Sequence, residues 1–190
     1  MGETIMIIEF LAPGFEEVEA LAPLDLLRRA GLDIRTVAVT EDGTVVGGAH
    51  NIPVTADLTE DEALALAKTE KIDMIILPGG MPGAANLDAS GTVQFFLDKA
   101  VAEGAYIASI CAAPMIPGKR GLLNGRRATC YPGFEQYLDG ADYTAGRVEV
   151  DGTYITACGM GAAVEFGLAL TAILKGEQAA DAIASAVFAK

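Results

Sequence analysis

The sequence predicts an α/β fold, with a mostly parallel, doubly wound sheet covered by helices on both faces. Three observations predict it. Short, nearly continuous apolar runs recur along the chain, and such runs suit strands buried on both faces of a parallel sheet. Longer stretches between them carry apolar residues at helical spacing. The two kinds of segment alternate, as in successive β-α-β units.

The first apolar run is Thr4 to Phe10, followed by a turn at Pro13-Gly14. Glu16 to Ala30 reads as a helix, with acids at its start, Arg28-Arg29 at its end and Gly31 as its stop. Asp33 to Val39 is a second strand, and residues 44–54 an excursion of short strands around Gly47-Gly48. Asp61 to Lys68 is a helix. Ile72 to Leu77 is a third buried strand that runs into Pro78-Gly79-Gly80. Ser90 to Glu103 is amphipathic, and Ala105 to Ile110 is a fourth buried strand leading into Cys111. A short helix is expected over Ala112 to Leu123, interrupted at Pro117-Gly118, and a strand over Arg127 to Cys130. Val148 to Val150 and Thr153 to Thr156 form a hairpin through Asp151-Gly152. Gly159-Met160-Gly161 opens a helix to Lys175, and Glu177 to Phe188 closes the chain. No repeat or linker interrupts residues 1–190, so one domain is expected.

Thirteen basic against 26 acidic side chains give a formal charge of −13. That balance argues against nucleic acid or an anionic membrane as partner. Three cysteines at wide spacing, Cys111, Cys130 and Cys158, do not form a disulfide framework. Free thiols, no basic leader and no long uncharged apolar stretch lead to the expectation of a cytoplasmic protein. One histidine and scattered cysteines do not match a zinc pattern, so no metal is expected.

In an open parallel sheet, ligands bind beyond the carboxyl ends of the strands. Cys111 falls there, on a strand-to-helix turn among small residues, Ala108-Ser109-Ile110-Cys111-Ala112-Ala113-Pro114. Such a turn lifts a nucleophile out of the sheet, and a helix N-terminus favours the thiolate. A buried, inert cysteine fits the same local sequence equally well. Glu19, about one turn into the first helix, is either a carboxyl partner for that thiol or another acid drawn to a helix start. Gly79 and Gly80 present backbone N–H groups after the third strand, or form a plain turn. Gly159-x-Gly161 lacks the third glycine of a dinucleotide fingerprint and reads as a structural turn. His50 lies far from Cys111 in sequence. Tyr131-Pro132 is a candidate pocket wall.

Taken together, these motifs resemble the ThiJ/PfpI superfamily, in its DJ-one (Parkinsonism-associated deglycase) branch. The resemblance covers nearly the whole chain. It rests on Gly14 to Ala20, Leu77-Pro78-Gly79-Gly80 with Asn86-Leu87, Ala108 to Pro114, and Gly159 to Ala169. It implies a flavodoxin-like three-layer α/β/α sandwich of the class I glutamine amidotransferase-like kind, usually a homodimer. It implies that Cys111 is an oxidation-prone thiol, that Glu19 is its protonated carboxyl partner, and that Gly80 and Ala112 lend backbone N–H groups. Activities attributed to the branch are glyoxalase, deglycase and a redox-regulated chaperone role, none with a cofactor; an older label is thiazole monophosphate biosynthesis. The expected substrate is a small aldehyde or dicarbonyl. The sequence also departs from the pattern. Ala112 stands where peptidase-like branches carry histidine, which argues against a Cys-His peptidase. Tyr131 replaces a histidine common in the branch. His50 replaces a basic loop residue, while Arg29 keeps the neighbouring cationic position.

Overall fold

A computed structural model of the protein describes residues 5–189; Thr4, where the sequence starts the first strand, lies outside them. The chain opens with β1 (Met6–Leu11), α1 (Glu17–Arg29) and β2 (Asp33–Ala38). Two short strands, β3 (Val45–Gly47) and β4 (Pro53–Thr55), form an antiparallel hairpin outside the main sheet. Then come β5 (Leu58–Thr59), α2 (Glu60–Leu66), β6 (Met74–Leu77), α3 (Gly83–Ala89), α4 (Gly91–Glu103) and β7 (Tyr106–Ile110). The last third holds α5 (Met115–Lys119), β8 (Arg127–Ala128), β9 (Asp142–Tyr143), β10 (Val148–Asp151), β11 (Tyr154–Ala157), α6 (Ala163–Lys175) and α7 (Glu177–Ala186).

Seven strands form the main sheet in the order β10-β11-β7-β6-β1-β2-β5. All its pairings are parallel except that of β10 with β11. One face is packed by α2, α3, α4 and α5 through Ala63, Leu87, Phe96, Leu97 and Ile116. The other is packed by α1 and α6 through Leu24, Leu27, Phe166 and Leu170. The α/β/α sandwich expected from the alternating runs is therefore present. Helices α1 and α6 approach so closely that a Cβ on Gly167 would lie 2.7 Å from Leu26 Cδ1 and 2.9 Å from Pro23 Cα.

Strand order reverses at β1: β2 lies on one side of it and β6 on the other. The chain leaves β1 for one face of the sheet and β6 for the other, and sheets of this kind bind ligands at such a switch point, in the crevice outside the carboxyl ends.

The helices stop and start for visible reasons. Thr59 and Glu62 form a reciprocal capping box at α2, and Ser90 caps α4. Several expectations are corrected. The helix expected over 112–123 is confined to α5, because residues 111–114 form a turn. The strand over 127–130 shrinks to β8, which pairs with β9 in a separate two-stranded sheet. The hairpin turn is Gly152-Thr153, one residue later than expected, since Asp151 pairs with Tyr154. Residues 160–162 form a 3₁₀ turn before α6. Helix α3 and strands β5 and β9 had no periodic signal to reveal them, being two to seven residues long.

One core position breaks the apolar rule. Glu9 in the middle of β1 is fully buried, and neither carboxyl oxygen has a hydrogen-bond partner among the described residues. It shares a face with Ile7, beneath α1. Burial raises its pKa well above the ordinary 4.5, with Arg28 opposing and Asp57 adding to the rise. A carboxyl whose folded-state pKa is raised loses stability for the fold as pH climbs above its unfolded value. Glu9→Gln cannot ionise. It is expected to need more urea to unfold than the wild type at about pH 8, and nearly the same amount at about pH 4. Equal midpoints at both pH values would contradict this account.

Candidate active site

Cys111 is the first residue after β7, and it has a positive φ of 65°. Non-glycine residues seldom adopt that conformation, and it is held in place here by backbone bonds on both sides. Its N–H donates to Ala157 O at 2.8 Å, and its C=O accepts from Tyr131 N–H at 2.8 Å. The turn therefore stands between β11 and the segment after β8.

Glu19 arrives from the other side of the crevice. Glu16 caps α1, its Oε2 accepting from Glu19 N–H at 2.7 Å, which fixes the first turn of the helix. The Glu19 side chain then points over the sheet and is 1% exposed. Its carboxyl accepts from Gly79 N–H at 3.0 Å and from Met160 N–H, and it hydrogen-bonds the Cys111 thiol. Backbone N–H groups of Gly80 and Ala112 are directed at the sulfur.

This convergence needs glycine at position 79. A Cβ there would lie 2.5 Å from Glu19 Oε2 and 2.6 Å from Cys111 Cβ. Gly80 has a φ of 84°, and a Cβ on it would meet Glu16 N at 2.4 Å. The two glycines thus keep clear the space in which acid and thiol meet.

Burial, aided by the charge of Glu16, pushes the Glu19 carboxyl up to about 7, although Cys111, Gly79 and Met160 all favour its ionised form. Burial, the Glu19 charge and the bond to Glu19 push the Cys111 thiol up to about 12, against the two N–H groups that favour the thiolate. The expectation that a helix N-terminus would favour the thiolate is corrected. Helix α5 is short and starts only at Met115, and a buried carboxylate stands beside the sulfur instead. Between those two values the pair holds a single proton, the arrangement suited to passing a proton from a thiol to a neighbouring base.

Of the residues singled out from sequence, Cys111, Glu19, Gly79, Gly80 and Ala112 meet in one place. Tyr131 joins them: its backbone binds Cys111, and its half-exposed ring flanks Gly159, beside the Cys111 sulfur. His50 does not bond Cys111 or Glu19. Its N–H and Nδ1 hold the buried Glu17 carboxylate at 2.7 and 2.9 Å, a bond that keeps Glu17 below the usual carboxylate range despite its burial. Arg29 is not brought to the site. It pairs with Asp25 near the far end of α1, about 15 Å along the helix from Glu19. The sequence reading passed over Glu16 as a mere helix-start acid and Met160 as part of a turn. A main-chain donor leaves no mark on residue type, so only the Gly-x-Gly pattern hinted at Met160.

The motif around Cys111 and the glycine-lined approach of Glu19 lie within a long family match. Residues 5–173 match the DJ-1/PfpI family. The chain belongs to that family. It is 36% identical over 178 residues to Protein DJ-1 homolog A of Arabidopsis thaliana, covering 92% of this chain but 44% of that relative. This chain thus spans less than half the length of that plant protein. It is 33% identical over 146 residues to Deglycase PH1704 of Pyrococcus horikoshii, covering 75% of this chain and 83% of that one. Among solved structures, Toxoplasma gondii DJ-1 in an oxidized form superposes with a TM-score of 0.89 at 33% identity, covering 97% of this chain and 98% of that chain. The DJ-1/PfpI chain described here is a flavodoxin-like α/β sandwich, as the sequence resemblance implied. No helix among its described residues is long and apolar enough to cross a membrane.

Two outcomes follow for the thiol–acid pair. Glu19→Gln removes the charge that holds the thiol proton, so thiolate absorbance of Cys111 is expected to appear at lower pH than in the wild type, in a Cys130→Ser, Cys158→Ser background. An unchanged titration would remove the coupling. Gly79→Ala is expected to cost about 1–3 kcal/mol in urea unfolding, from overpacking.

Proposed function

We propose that this chain is a cysteine-dependent, cofactor-independent enzyme acting on small reactive dicarbonyls or their protein adducts. The observation that carries the reading is the buried Cys111–Glu19 hydrogen bond on a turn with main-chain donors around the sulfur. The deglycase name of the Pyrococcus relative supports it.

With methylglyoxal, Cys111 Sγ attacks the aldehyde carbon while its proton passes to the Glu19 carboxylate. Glu19 returns that proton to the new oxygen, giving a hemithioacetal. Glu19 then removes the hydrogen from the same carbon and delivers it to the adjacent carbonyl carbon, while the hydroxyl proton passes through the enediol to the adjacent oxygen. The first carbon is oxidised and the second reduced, so the electrons balance within the substrate. Water cleaves the resulting thioester to lactate and restores the thiol. The N–H groups of Gly80 and Ala112 steady negative charge at the sulfur. Ala112, where a histidine would be needed, favours this chemistry over that of a Cys-His peptidase.

The same donors suit a second reading, a redox sensor or chaperone in which oxidised Cys111 is the signal. The oxidized state of the Toxoplasma relative favours keeping it. In either case we propose a cytoplasmic homodimer. The exposed Val18, Met160 and Val164 on and near α1 and α6 support an interface close to the site.

Methylglyoxal consumption and lactate formation test the enzyme. Cys111→Ser is expected to fall to background, and turnover equal to the wild type would end the proposal. Glu19→Gln is expected to lose about 10²–10⁴-fold, the usual worth of a general base. The basic form of Glu19 exists above its pKa of about 7, so kcat/KM is expected to rise with pH up to about 7 and then level off. A profile that falls over that range would exclude Glu19 as the base.

A further inference from the structure

Cys158 has no part in the chemistry above, yet its position relative to Cys111 is fixed by the sheet. The last registered pair of β7 and β11 is Ile110 with Ala157. Cys111 and Cys158 are the next residues of the two parallel strands. The bonding reaches that far on the β7 side, where Cys111 N–H donates to Ala157 O at 2.8 Å; Cys158 N–H turns the other way, to Arg147 O just before β10, at 3.0 Å. Neighbouring strands lie about 4.8 Å apart, within the roughly 4.4–6.8 Å between Cα atoms that a disulfide spans. The chain closes further over the sulfur one residue later. A Cβ on Gly159 would lie 4.0 Å from Cys111 Sγ.

The two other thiols differ in how they are held. Cys130 is fully buried and packs among Leu123, Ala128 and Leu138. Cys158 is half-buried, belongs to no core cluster, and lies within electrostatic reach of the Arg147 guanidinium. Arg147 is itself held by Glu165 at 2.7 Å.

We propose that Cys158 is a resolving thiol for Cys111: after peroxide oxidises Cys111 to a sulfenic acid, Cys158 closes a Cys111–Cys158 disulfide. In the first step the Cys111 sulfur takes one peroxide oxygen, the O–O bond breaks and water leaves. In the second step Cys158 Sγ attacks Cys111 Sγ. The S–S bond forms, the S–O bond breaks, and hydroxide leaves as water with the proton of the Cys158 thiol. One peroxide is reduced and two thiols are oxidised. The consequence is protection, since a disulfide returns to thiols with a reductant whereas a sulfinate does not. The inference rests, as the dicarbonyl reading does, on a reactive Cys111.

The test treats the whole protein with increasing hydrogen peroxide and reads intact mass, followed by peptide mapping without reduction. The wild type is expected to lose the mass of two hydrogens, with Cys111 and Cys158 in one linked peptide pair. Cys158→Ser, and Cys158→Ala as a second variant, are expected to gain two oxygens on Cys111 instead. Methylglyoxal turnover after oxidation is expected to return with dithiothreitol in the wild type and not in either variant. A wild type that gains two oxygens on Cys111 as readily as the variants overturns the proposal, as does a disulfide made through Cys130. The mass readout needs no turnover, so it stands apart from the outcome for methylglyoxal.

Discussion

Glu19 reaches Cys111 only across the bare backbone of Gly79, and the site depends on that approach. The volume a side chain would fill at Gly79 is already taken by the Glu19 carboxylate and the Cys111 Cβ. The constraint extends outward. Gly80 must take a left-handed conformation against Glu16 N, whose own N–H binds Gly79 O at 3.0 Å. Glu16 in turn caps the helix that carries Glu19. The loop after β6 and the start of α1 are thus a single packed unit, placed where the strand order switches at β1.

Three buried acids show how one functional group takes three electrostatic states in one fold. Glu17 keeps its charge because His50 and backbone donors bind it. Glu19 has comparable donors but also a neighbouring acid and a thiol, and its proton comes off near neutrality. Glu9 has no hydrogen-bond donor among the described residues, and burial within the apolar face of β1 pushes it well above the ordinary carboxylate range. Burial acts on all three in the same direction. Partners decide which of them keeps its charge, which titrates near neutrality and which has its ionisation pushed far upward.

Much of this was legible in the sequence because period and burial leave marks on residue type. β1, β6 and β7 were readable as unbroken apolar runs, and α1 and α4 as amphipathic stretches with their stops. Cys111, Glu19 and the Gly79-Gly80 turn were readable as a cluster beyond the carboxyl edge of the sheet, and the structure brings them together. What escaped was of two kinds. Elements of two to seven residues, such as α3 and β5, are too short to show a period and are set by tertiary packing. Direction in space escaped as well. Arg29 sits on the right helix, but at its far end with Asp25, and the helix dipole counted on for Cys111 is displaced to Met115. The thiol's acidity therefore follows its burial and its carboxylate neighbour, and not the helix.

The two borders of the main sheet have a further meaning. On one side β5 is only two residues long and passes at once into α2. On the other, β10 carries Glu149 and Asp151, which are bound by Arg127 at the start of β8 and by Arg126 just before it. Neither border offers a long, bare row of main-chain donors and acceptors of the kind that recruits a foreign strand. Strand-by-strand polymerisation through the main sheet is thereby disfavoured. The exposed valine of α1, Val18, lies instead on a helix layer, one residue from the acid of the site.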